Sequence, residues 1–521
     1  MSNNYSRRNF VKSGVFGAAA SMTLPLTACN TGDAQKKPNI LYIMSDDHAA
    51  NAIASYDTRL AKVTPTSNID RIANEGIRLN RCFCTNSICT PSRAAILTGK
   101  YSQKNGVFTL ADTFNGSQPH VGKYLQQAGY QTAIIGKWHL KTDPTGFDYW
   151  NVLPGQGRYH NSLLKEIGTG KLAEHEGYSA DIIGGLALDH LKNRDKDKPF
   201  YMMCHFKAPH GLWEYAERFE HLFDDVEIPE PESLFEDKDH RSDATRERGS
   251  TISPGHFNAY WLRTQEDKWP TGRLDTEGMI EEQKTRAAYQ KYLKDYLRAV
   301  AGINDNVGKL LDYLDAEGLA DDTVVMYTSD QGQLLGEHDY YDKRWMYEES
   351  LKMPFLVRYP REIKAGAIND DITLNIDFAP TFMDYAGVST PSDMQGRSMR
   401  ANLSGNTPGD WRESMYYRYW MHLTSHDNPA HYGVRTKDYK LIFFYGLPLD
   451  AKGAVEESSQ PAWELYDLRK DPNELNNVYE NPQYASVVAE LKQELTRLKQ
   501  EVGDKDEKYP ELMAVREQYW D

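Results

Sequence analysis

Short runs of apolar residues recur along this chain, and several of them end directly in charged or polar side chains. The clearest runs lie at Asn39–Met44, within Gly129–Leu140, at Pro199–Phe206 and at Thr323–Thr328. Continuous apolar runs of this length are typical of parallel strands that are buried on both faces of a sheet. Because the carboxyl ends of such strands meet at one crevice of an α/β sheet, we expect the polar side chains that follow them to lie close together.

Helix-like spacing of apolar residues dominates the stretch before the fourth run. From about Glu281 to Leu314, apolar residues such as Leu297, Ile303 and Leu310 recur at the spacing of one helical face, which predicts a long helix. The preceding residues 222–275 are charged and contain prolines. They indicate a surface excursion that carries local specificity.

Beyond Pro408 the pattern changes to short runs rich in tyrosine. The runs at 414–419, 432–435, 439–444 and 463–468 predict antiparallel strands, and residues 484–499 predict a helix. The whole pattern predicts an α/β protein with a large sheet flanked by helices. A smaller C-terminal subdomain of antiparallel sheet and helix would follow it.

Composition narrows the class of protein. The chain of 521 residues is 40% apolar and 26% charged, which is ordinary for a globular protein, and its net charge is -15. This acidic balance argues against nucleic acid as a partner, because phosphate binding needs a basic face. A locally positive pocket, and not the overall field, would have to attract any anionic substrate.

The first residues read as a targeting sequence and not as part of the fold. Ser6–Lys12 contains a twin-arginine pair, and the apolar run that follows is too short for a permanent membrane span. The run ends at Leu26–Cys29, which looks like a bacterial lipoprotein box with Cys29 as the lipidated residue. We predict a signal at residues 1–29, a linker at 30–37, and a periplasmic or lipid-anchored protein of a bacterium. A plain cleaved signal is the alternative.

A cysteine heads the motif Cys89-Thr90-Pro91-Ser92-Arg93, which continues into Leu97-Thr98-Gly99. Pro91 stands where a helix can begin without losing a hydrogen bond, and Gly99 stands where a short helix would end. The five cysteines show no disulfide framework, so a small buried cysteine is the plain alternative for Cys89. The complete motif resembles the signature of the formylglycine-dependent sulfatases. In that family a maturase enzyme oxidises the cysteine to formylglycine, whose hydrated aldehyde is the nucleophile.

Two carboxylates follow the first predicted strand, and an acid and an amide follow the fourth. Asp46 and Asp47 would repel each other at the end of a buried strand, so a divalent cation is an economical counter-charge. A helix N-cap is the alternative for Asp46. The sulfatase resemblance assigns Asp330 and Gln331 as further metal ligands, together with the modified Cys89. This oxygen-rich set suits Ca²⁺ better than Zn²⁺, and Mg²⁺ stays open.

The same resemblance assigns catalytic roles to charged residues near the predicted strand ends. A lone lysine after a strand is usually a solvated surface residue, but Lys137 lies in a run similar to the second sulfatase signature. By resemblance, Lys137 and Lys343 bind the sulfate, and Arg93 braces the nucleophile and the metal site. His210 protonates the leaving oxygen, and His139 helps to hold the nucleophile and the sulfate. We expect His139 also to take the proton whose removal releases sulfate and restores the aldehyde.

The resemblance also implies a fold, a division of the chain and an activity. The fold is the alkaline-phosphatase-like sandwich, with a catalytic domain at residues 38–395 and a C-terminal subdomain at 396–521. The activity is hydrolysis of the sulfate esters of sugars by an exo-acting carbohydrate sulfatase. The motif Asp342-Lys343-Arg344 and the tyrosine-rich strands are similar to the glucosamine-6-sulfatase-like branch, which makes a 6-O-sulfo amino sugar the expected substrate.

Loops rich in histidine, arginine and aromatic residues are expected to border the pocket and bind the sulfated saccharide. We predict substrate contacts from His338, Arg344, Arg418 and His431, with Arg158, His160, Trp345, His422 and His426 in a wider set. An arylsulfatase or a phosphonate or phosphate monoester hydrolase would share the architecture. Outside the enzymes, the alternative is a non-catalytic glycan-binding surface lipoprotein, although the complete set of expected ligands argues against it. The sequence assigns no oligomeric state.

Overall fold

The computed structural model describes residues 37–255 and 258–520. The predicted signal at residues 1–29 and the predicted lipidation at Cys29 lie outside the described residues. From Lys37 onward, the backbone contacts group the chain into one compact unit. Within the described part, no helix combines the length and the apolar character that crossing a membrane requires.

Strands and helices alternate over most of the chain, and strands dominate between residues 414 and 467. The strands are β1 (Asn39–Ser45), β2 (Ile77–Leu79), β3 (Cys82–Phe83), β4 (Gln131–Lys137), β5 (Tyr149–Leu153), β6 (His160–Glu166), β7 (Leu172–Tyr178), β8 (Phe200–His205), β9 (Thr323–Ser329), β10 (Leu334–Leu335), β11 (Tyr341–Asp342), β12 (Phe355–Arg358), β13 (Ala367–Asn369), β14 (Thr373–Leu374), β15 (Ser414–Tyr419), β16 (His431–Thr436), β17 (Tyr439–Phe444) and β18 (Ala462–Asp467). The α-helices are α1 (Ser67–Asn74), α2 (Cys89–Thr98), α3 (Ser102–Asn105), α4 (Val121–Gln127), α5 (Ser179–Asn193), α6 (Tyr260–Thr264), α7 (Glu281–Ala316), α8 (Glu348–Leu351), α9 (Phe378–Tyr385), α10 (Arg400–Leu403), α11 (Ala485–Val502) and α12 (Pro510–Tyr519).

A large mixed sheet forms the centre of the fold. In the described residues its order is β13-β2-β12-β9-β1-β8-β4-β5-β6-β7. The central strands β9, β1, β8, β4 and β5 are parallel, whereas β12 pairs antiparallel with β9, and β6 with β5. The four apolar runs are β1, β4, β8 and β9. They are neighbours in the sheet, so their carboxyl ends lie side by side, as predicted.

Both faces of the sheet are buried, which explains the continuous apolar runs. In β1, Tyr42 and Met44 belong to one hydrophobic cluster, and Leu41 and Ile43 belong to another on the opposite face. Successive side chains of a strand point to opposite faces, so a strand between two cores needs an apolar residue at every position. The α/β prediction is therefore confirmed together with its physical reason.

Helices cover the two faces of the sheet. The helices α1, α5 and α7 bury their apolar stripes in the cluster that contains Leu41 and Ile43. The helices α2, α4 and α9 join the other cluster, which continues into the antiparallel sheet β15-β16-β17-β18 and into α11. The predicted C-terminal subdomain of antiparallel strands and a helix is thus confirmed, and it shares a hydrophobic core with one face of the large sheet.

Most element boundaries agree with the predictions to within a few residues. The long helix is confirmed as α7, and residues 222–275 are mostly loop with the short helix α6. Cys89 was expected just before a helix, but α2 begins at Cys89 itself and ends before Gly99, whose φ is 64°. The division between residues 395 and 396 stays a prediction.

Gly136 permits the close contact of β4 and β8 that places Lys137. Its φ is 98°, and a Cβ atom there would lie 2.0 Å from the carbonyl oxygen of His205 on the neighbouring strand. A side chain is therefore excluded by both the backbone conformation and the space. A glycine inside a strand often marks such a close backbone approach.

We predict that Gly136→Ala lowers the free energy of unfolding by about 3 kcal/mol or more, because conformational strain and steric overlap add. The matched control is Gly129→Ala. Gly129 has a similar φ of 88° but no atom within 4 Å of the added Cβ, so strain alone should cost about 1–2 kcal/mol. Denaturant unfolding measures both. Equal losses in the two variants would contradict the steric argument.

Candidate active site

Charged side chains from four neighbouring strand ends and from one helix meet at the carboxyl edge of the sheet. Asp46 and Asp47 follow β1, Asp330 follows β9, Lys137 ends β4, and His210 follows β8 by a short loop. A crevice at the carboxyl ends of parallel strands is the usual ligand site of an α/β sheet. Helix α2 brings Cys89 to the same place.

Cys89 occupies the first position of α2 at the bottom of this crevice. Its Sγ lies 3.4 Å from Oδ1 of Asp46 and 3.9 Å from Nε2 of Gln331. Burial is the main cause that raises the pKa of the Cys89 thiol, against the opposing charge of Lys343. The unmodified side chain is therefore held as a neutral thiol and is a poor nucleophile.

Side chains of α2 tie the helix to the strand ends. Arg93, one turn after Cys89, donates from Nε to Oδ2 of Asp330 at 2.9 Å and from Nη1 to the carbonyl of Lys137 at 2.6 Å. The hydroxyl of Ser92 donates to the carbonyl of Asp330. Arg93 therefore lies where a brace between the nucleophile and the acidic cluster was expected.

Each carboxylate of the cluster faces a cation. Lys343 Nζ lies 2.5 Å from Oδ2 of Asp47, Lys137 pairs with Asp46, and Arg93 pairs with Asp330. Burial nevertheless raises the pKa of Asp47 to about 6, although Lys343 opposes the shift. Burial also lowers the pKa of Lys137 well below its ordinary value, because desolvation disfavours its charge. Lys343 therefore only partly compensates for the burial of Asp47. Burial also acts to raise the pKa of Asp330, but the charges of Arg93, Lys137 and Lys343 outweigh it and lower that pKa.

The donor set fits a hard divalent cation. Asp46, Asp47 and Asp330 each offer a carboxylate oxygen, and these atoms lie within 4.8 Å of one another. The amide oxygen of Gln331 is buried and has no hydrogen-bond donor among the described residues. A buried polar atom without a partner is costly, and a cation would satisfy it. Oxygen ligands of this kind match Ca²⁺ or Mg²⁺.

The two predicted histidines are both half-buried. His210 is 19% exposed at its side chain, and its Nε2 lies 3.7 Å from Oδ2 of Asp47. Its Nδ1 donates to the carbonyl of Gly211 at 2.8 Å, so Nε2 faces the crevice. His139 is also half-buried, and burial followed by the charge of Lys137 lowers its pKa to about 2. The role of His139 stays a prediction, because no hydrogen bond joins it to Cys89.

A cavity of about 260 Å³ opens above Cys89. Asp47, Cys89, His210 and Lys343 form its charged floor, in contact with the predicted reaction centre. Its walls combine apolar and polar side chains from distant loops: Ile88, Leu110, Leu212, Trp213 and Tyr341, with Gln156, Arg263, Gln333, Asp342, Arg344, Ser425 and His426. A concave site with a few convergent polar groups is suited to a small ligand.

Only part of the predicted sugar-binding set lines this cavity. Arg344 does, with Nε 2.9 Å from Oδ2 of Asp342 and Nη1 without a hydrogen bond among the described residues. His426 of the wider set lines it as well. Arg158, His160, Trp345 and His422 do not.

The structure contradicts the predicted substrate contact of three residues, because the side chain of each is buried and bonded to other parts of the protein. Nδ1 of His338 lies 2.9 Å from Oε2 of Glu236, and the ring stacks on Tyr347. Arg418 is buried under Trp420 and bonds to Asp504 at 2.8 Å. His431 is fully buried among aromatic rings, and its Nδ1 bonds to the carbonyl of Pro429.

The sequence reasoning missed several residues near the reaction centre. Lys207 is buried, its Nζ lies 4.5 Å from the ring centre of Tyr159, and burial lowers its pKa to about 8. Its position shortly after a buried strand was a weak signal, because a lysine at such a position is usually a solvated surface residue. Gln156 accepts a hydrogen bond from Lys137. Nothing in the sequence around Gln156 indicates its contact with Lys137.

Two family models match the chain. The model described as Sulfatase matches residues 38–388. The model described as N-sulphoglucosamine sulphohydrolase, C-terminal, matches residues 336–501. The first match contains the large sheet and every predicted metal ligand.

Several known proteins are similar to this chain. An N-acetylglucosamine-6-O-sulfatase of Bacteroides thetaiotaomicron is 42% identical, covering 94% of this chain and 90% of the relative. A human N-acetylglucosamine-6-sulfatase is 28% identical, covering 78% and 69%. A structure solved with its substrate D-glucosamine-2-N,6-O-disulfate has a TM-score of 0.81 at 41% identity, covering 90% and 99%. A phosphonate monoester hydrolase from Silicibacter pomeroyi shares the fold, with a TM-score of 0.67 at 20% identity over 89% and 95%.

We predict that a chelator of divalent cations lowers the Tm, because a cation that binds only the folded state stabilises it. The chelator should also abolish activity, and added Ca²⁺ or Mg²⁺ should restore both the Tm and the activity. Asp330→Asn is the control: with a ligand removed, its Tm should respond little to chelator or Ca²⁺. An unchanged wild-type Tm after exhaustive chelation, with no metal found by elemental analysis, would contradict the site.

Proposed function

This chain belongs to the sulfatase family, and from that premise we propose that it removes the 6-O-sulfate of a glucosamine-type sugar by an exo-acting reaction. One observation carries the proposal: Cys89 lies at the floor of a cavity, beside a carboxylate cluster and two lysines. That constellation brings together a nucleophile position, a place for a cation and positive charges for a sulfate. The similarity to N-acetylglucosamine-6-O-sulfatase supports the choice of sugar.

The size of the cavity supports action on one sugar at a time. Its volume of about 260 Å³ lies below the range of about 300–1,000 Å³ typical of sites for drug-sized ligands. A single sugar sulfate matches this volume better than a segment of a polysaccharide. The cavity therefore supports release of sulfate from a terminal residue or a free saccharide.

The nucleophile in this proposal is Cys89 after its conversion to formylglycine by a maturase enzyme. The modification supplies a hydrated aldehyde with two hydroxyl groups, one to attack sulfur and one to allow release of the sulfate. The thiol lacks that second hydroxyl, and its raised pKa keeps it protonated. The position of Cys89 at the start of α2 also places it near the positive end of the helix dipole, which favours an anion.

The divalent cation would be held by Asp46, Asp47, Asp330 and Gln331, and it would supply Lewis acidity at the reaction centre. Lys343 then has its ammonium group at the floor, next to Asp47 and within reach of sulfate oxygens. Lys137 is fully buried behind the floor, where it pairs with Asp46 and adds positive charge to the site. Positive groups that are already in place stabilise developing negative charge without reorganisation.

His210 is proposed to hold the proton for the leaving oxygen. Burial and then the charges of Lys137 and Lys343 lower the pKa of the free His210 imidazole. An anionic sulfate ester bound at those lysines would offset their effect and raise this pKa. Nε2, the ring nitrogen that faces the cavity, then carries the proton where the bridging oxygen would lie.

The retention of all these groups in one place argues against a non-catalytic glycan-binding role. The similarity to a phosphonate monoester hydrolase is one of fold, because the identity is 20%. An arylsulfatase or a phosphate or phosphonate ester hydrolase is therefore tested as an outcome of the substrate comparison below.

We predict that the wild-type protein desulfates N-acetylglucosamine 6-sulfate faster than galactose 6-sulfate, glucosamine 3-sulfate or nitrophenyl sulfate, and that nitrophenyl phosphate is a poor substrate. Mass spectrometry of the active protein should show an aldehyde or its hydrate at residue 89. Cys89→Ala should have no activity, and its Tm checks that the variant is folded. Turnover by protein with only unmodified cysteine would refute the nucleophile, and a preference for aryl sulfate or phosphate would replace the proposed substrate.

We predict that His210→Ala loses about 10²–10⁴-fold in kcat/KM on the sugar sulfate but much less on nitrophenyl sulfate. A sugar alkoxide needs a proton to leave, whereas nitrophenolate leaves without one. His139→Ala is the comparison variant: if it acts on release of sulfate, turnover of both substrates should fall and a covalent sulfate on residue 89 should accumulate. Equal losses of His210→Ala on both substrates would mean that His210 binds sulfate.

A further inference from the structure

An arginine without a partner faces the same cavity as Cys89. Arg263 lies on α6 and lines the cavity wall. Among the described residues, its guanidinium has neither a hydrogen bond nor an ion pair, although acidic side chains outnumber basic ones by 75 to 60 in this chain. The other arginine of the cavity wall, Arg344, forms an ion pair with Asp342.

The position of Arg263 is fixed by the burial of its helix. Tyr260, three residues earlier on α6, is fully buried, and its ring centre lies 5.5 Å from that of Trp213 and 5.7 Å from that of Tyr341. Both partner rings also line the cavity. Residues three apart on a helix lie on the same side, so the anchor of Tyr260 directs Arg263 toward these rings.

The charge of Arg263 reaches the polar wall of the cavity. Burial raises the pKa of Tyr341 to about 12, and Arg263 is the strongest charge that opposes this shift. Arg263 also acts on His426, another wall residue. No carboxylate among the described residues forms an ion pair with it there, in contrast to Lys343 at the floor, which pairs with Asp47. The wall thus offers a positive charge that the internal ion pairs leave free.

We propose that Arg263 forms a subsite for a second sulfate group, carried on the same sugar residue as the ester that is cleaved. The inference rests on the proposed function and extends it. A guanidinium binds two oxygens of a sulfate with parallel, charge-assisted hydrogen bonds. The small cavity places the second sulfate on the reacting sugar and not on a neighbouring one. The subsite selects disulfated over monosulfated sugars, whereas the floor performs the reaction.

The test compares N-sulfoglucosamine 6-sulfate with N-acetylglucosamine 6-sulfate for the wild type, Arg263→Ala and Arg263→Lys. Arg263→Ala should lose about 10–100-fold in kcat/KM on the disulfated sugar, mainly through KM, and less than about threefold on the monosulfated one. Arg263→Lys should recover part of the loss. N-sulfoglucosamine without the 6-sulfate should inhibit the wild type competitively and inhibit Arg263→Ala more weakly by a similar factor.

Arg158→Ala is the matched control. Arg158 is exposed, has no ion pair among the described residues and does not line the cavity. Arg158→Ala should therefore leave kcat/KM unchanged on both substrates. Equal losses of Arg263→Ala on both sugars, or no loss on either, would overturn the subsite and leave the proposed function standing. Wild-type activity on neither 6-sulfate would instead refute the proposed function, and the subsite with it. The Tm of each variant checks that folding is intact.

Discussion

The pairing of buried carboxylates with buried cations constrains this protein more than any other interaction. Asp46, Asp47 and Asp330 lie at strand ends almost without contact with water, and each has its cation on another segment of the chain. Breaking a buried ion pair by removing one partner leaves an uncompensated charge and costs about 3–5 kcal/mol. The register of β1 and β9, the placement of α2 and the path of the Lys343 loop must therefore agree with one another.

This constraint ties the reaction centre to the core of the fold, whereas loops form the walls of the cavity. The floor is built on strands whose apolar residues fill two cores, and on a helix whose ten residues are all buried. The walls come from loops between strands and from the excursion that carries α6. Loops on a rigid scaffold can change without disturbing the core. Sulfate chemistry and sugar selection are thus located in different parts of the structure, which is how Arg263 can affect one without the other.

Much of the fold and of the floor could be predicted from the sequence, because both depend on local patterns. A strand buried on two faces must be apolar throughout, so β1, β4, β8 and β9 are visible as continuous runs. Their parallel arrangement sends the residues that follow them to one edge. Asp46, Asp330 and Lys137 could therefore be placed together from the order of residues alone, and the motif around Cys89 added the nucleophile through its resemblance to a family.

The sequence by itself determined which residues end the strands, and only the tertiary structure decided which polar side chains are free to meet a ligand. The local sequence does not distinguish three such residues, because each is charged or polar and lies outside the long apolar runs: His338, Arg418 and Arg263. His338 and Arg418 find partners in Glu236 and Asp504, which are 102 and 86 residues away, whereas Arg263 finds none among the described residues. Such pairings depend on distances between remote segments after folding, and no local pattern of residues encodes them.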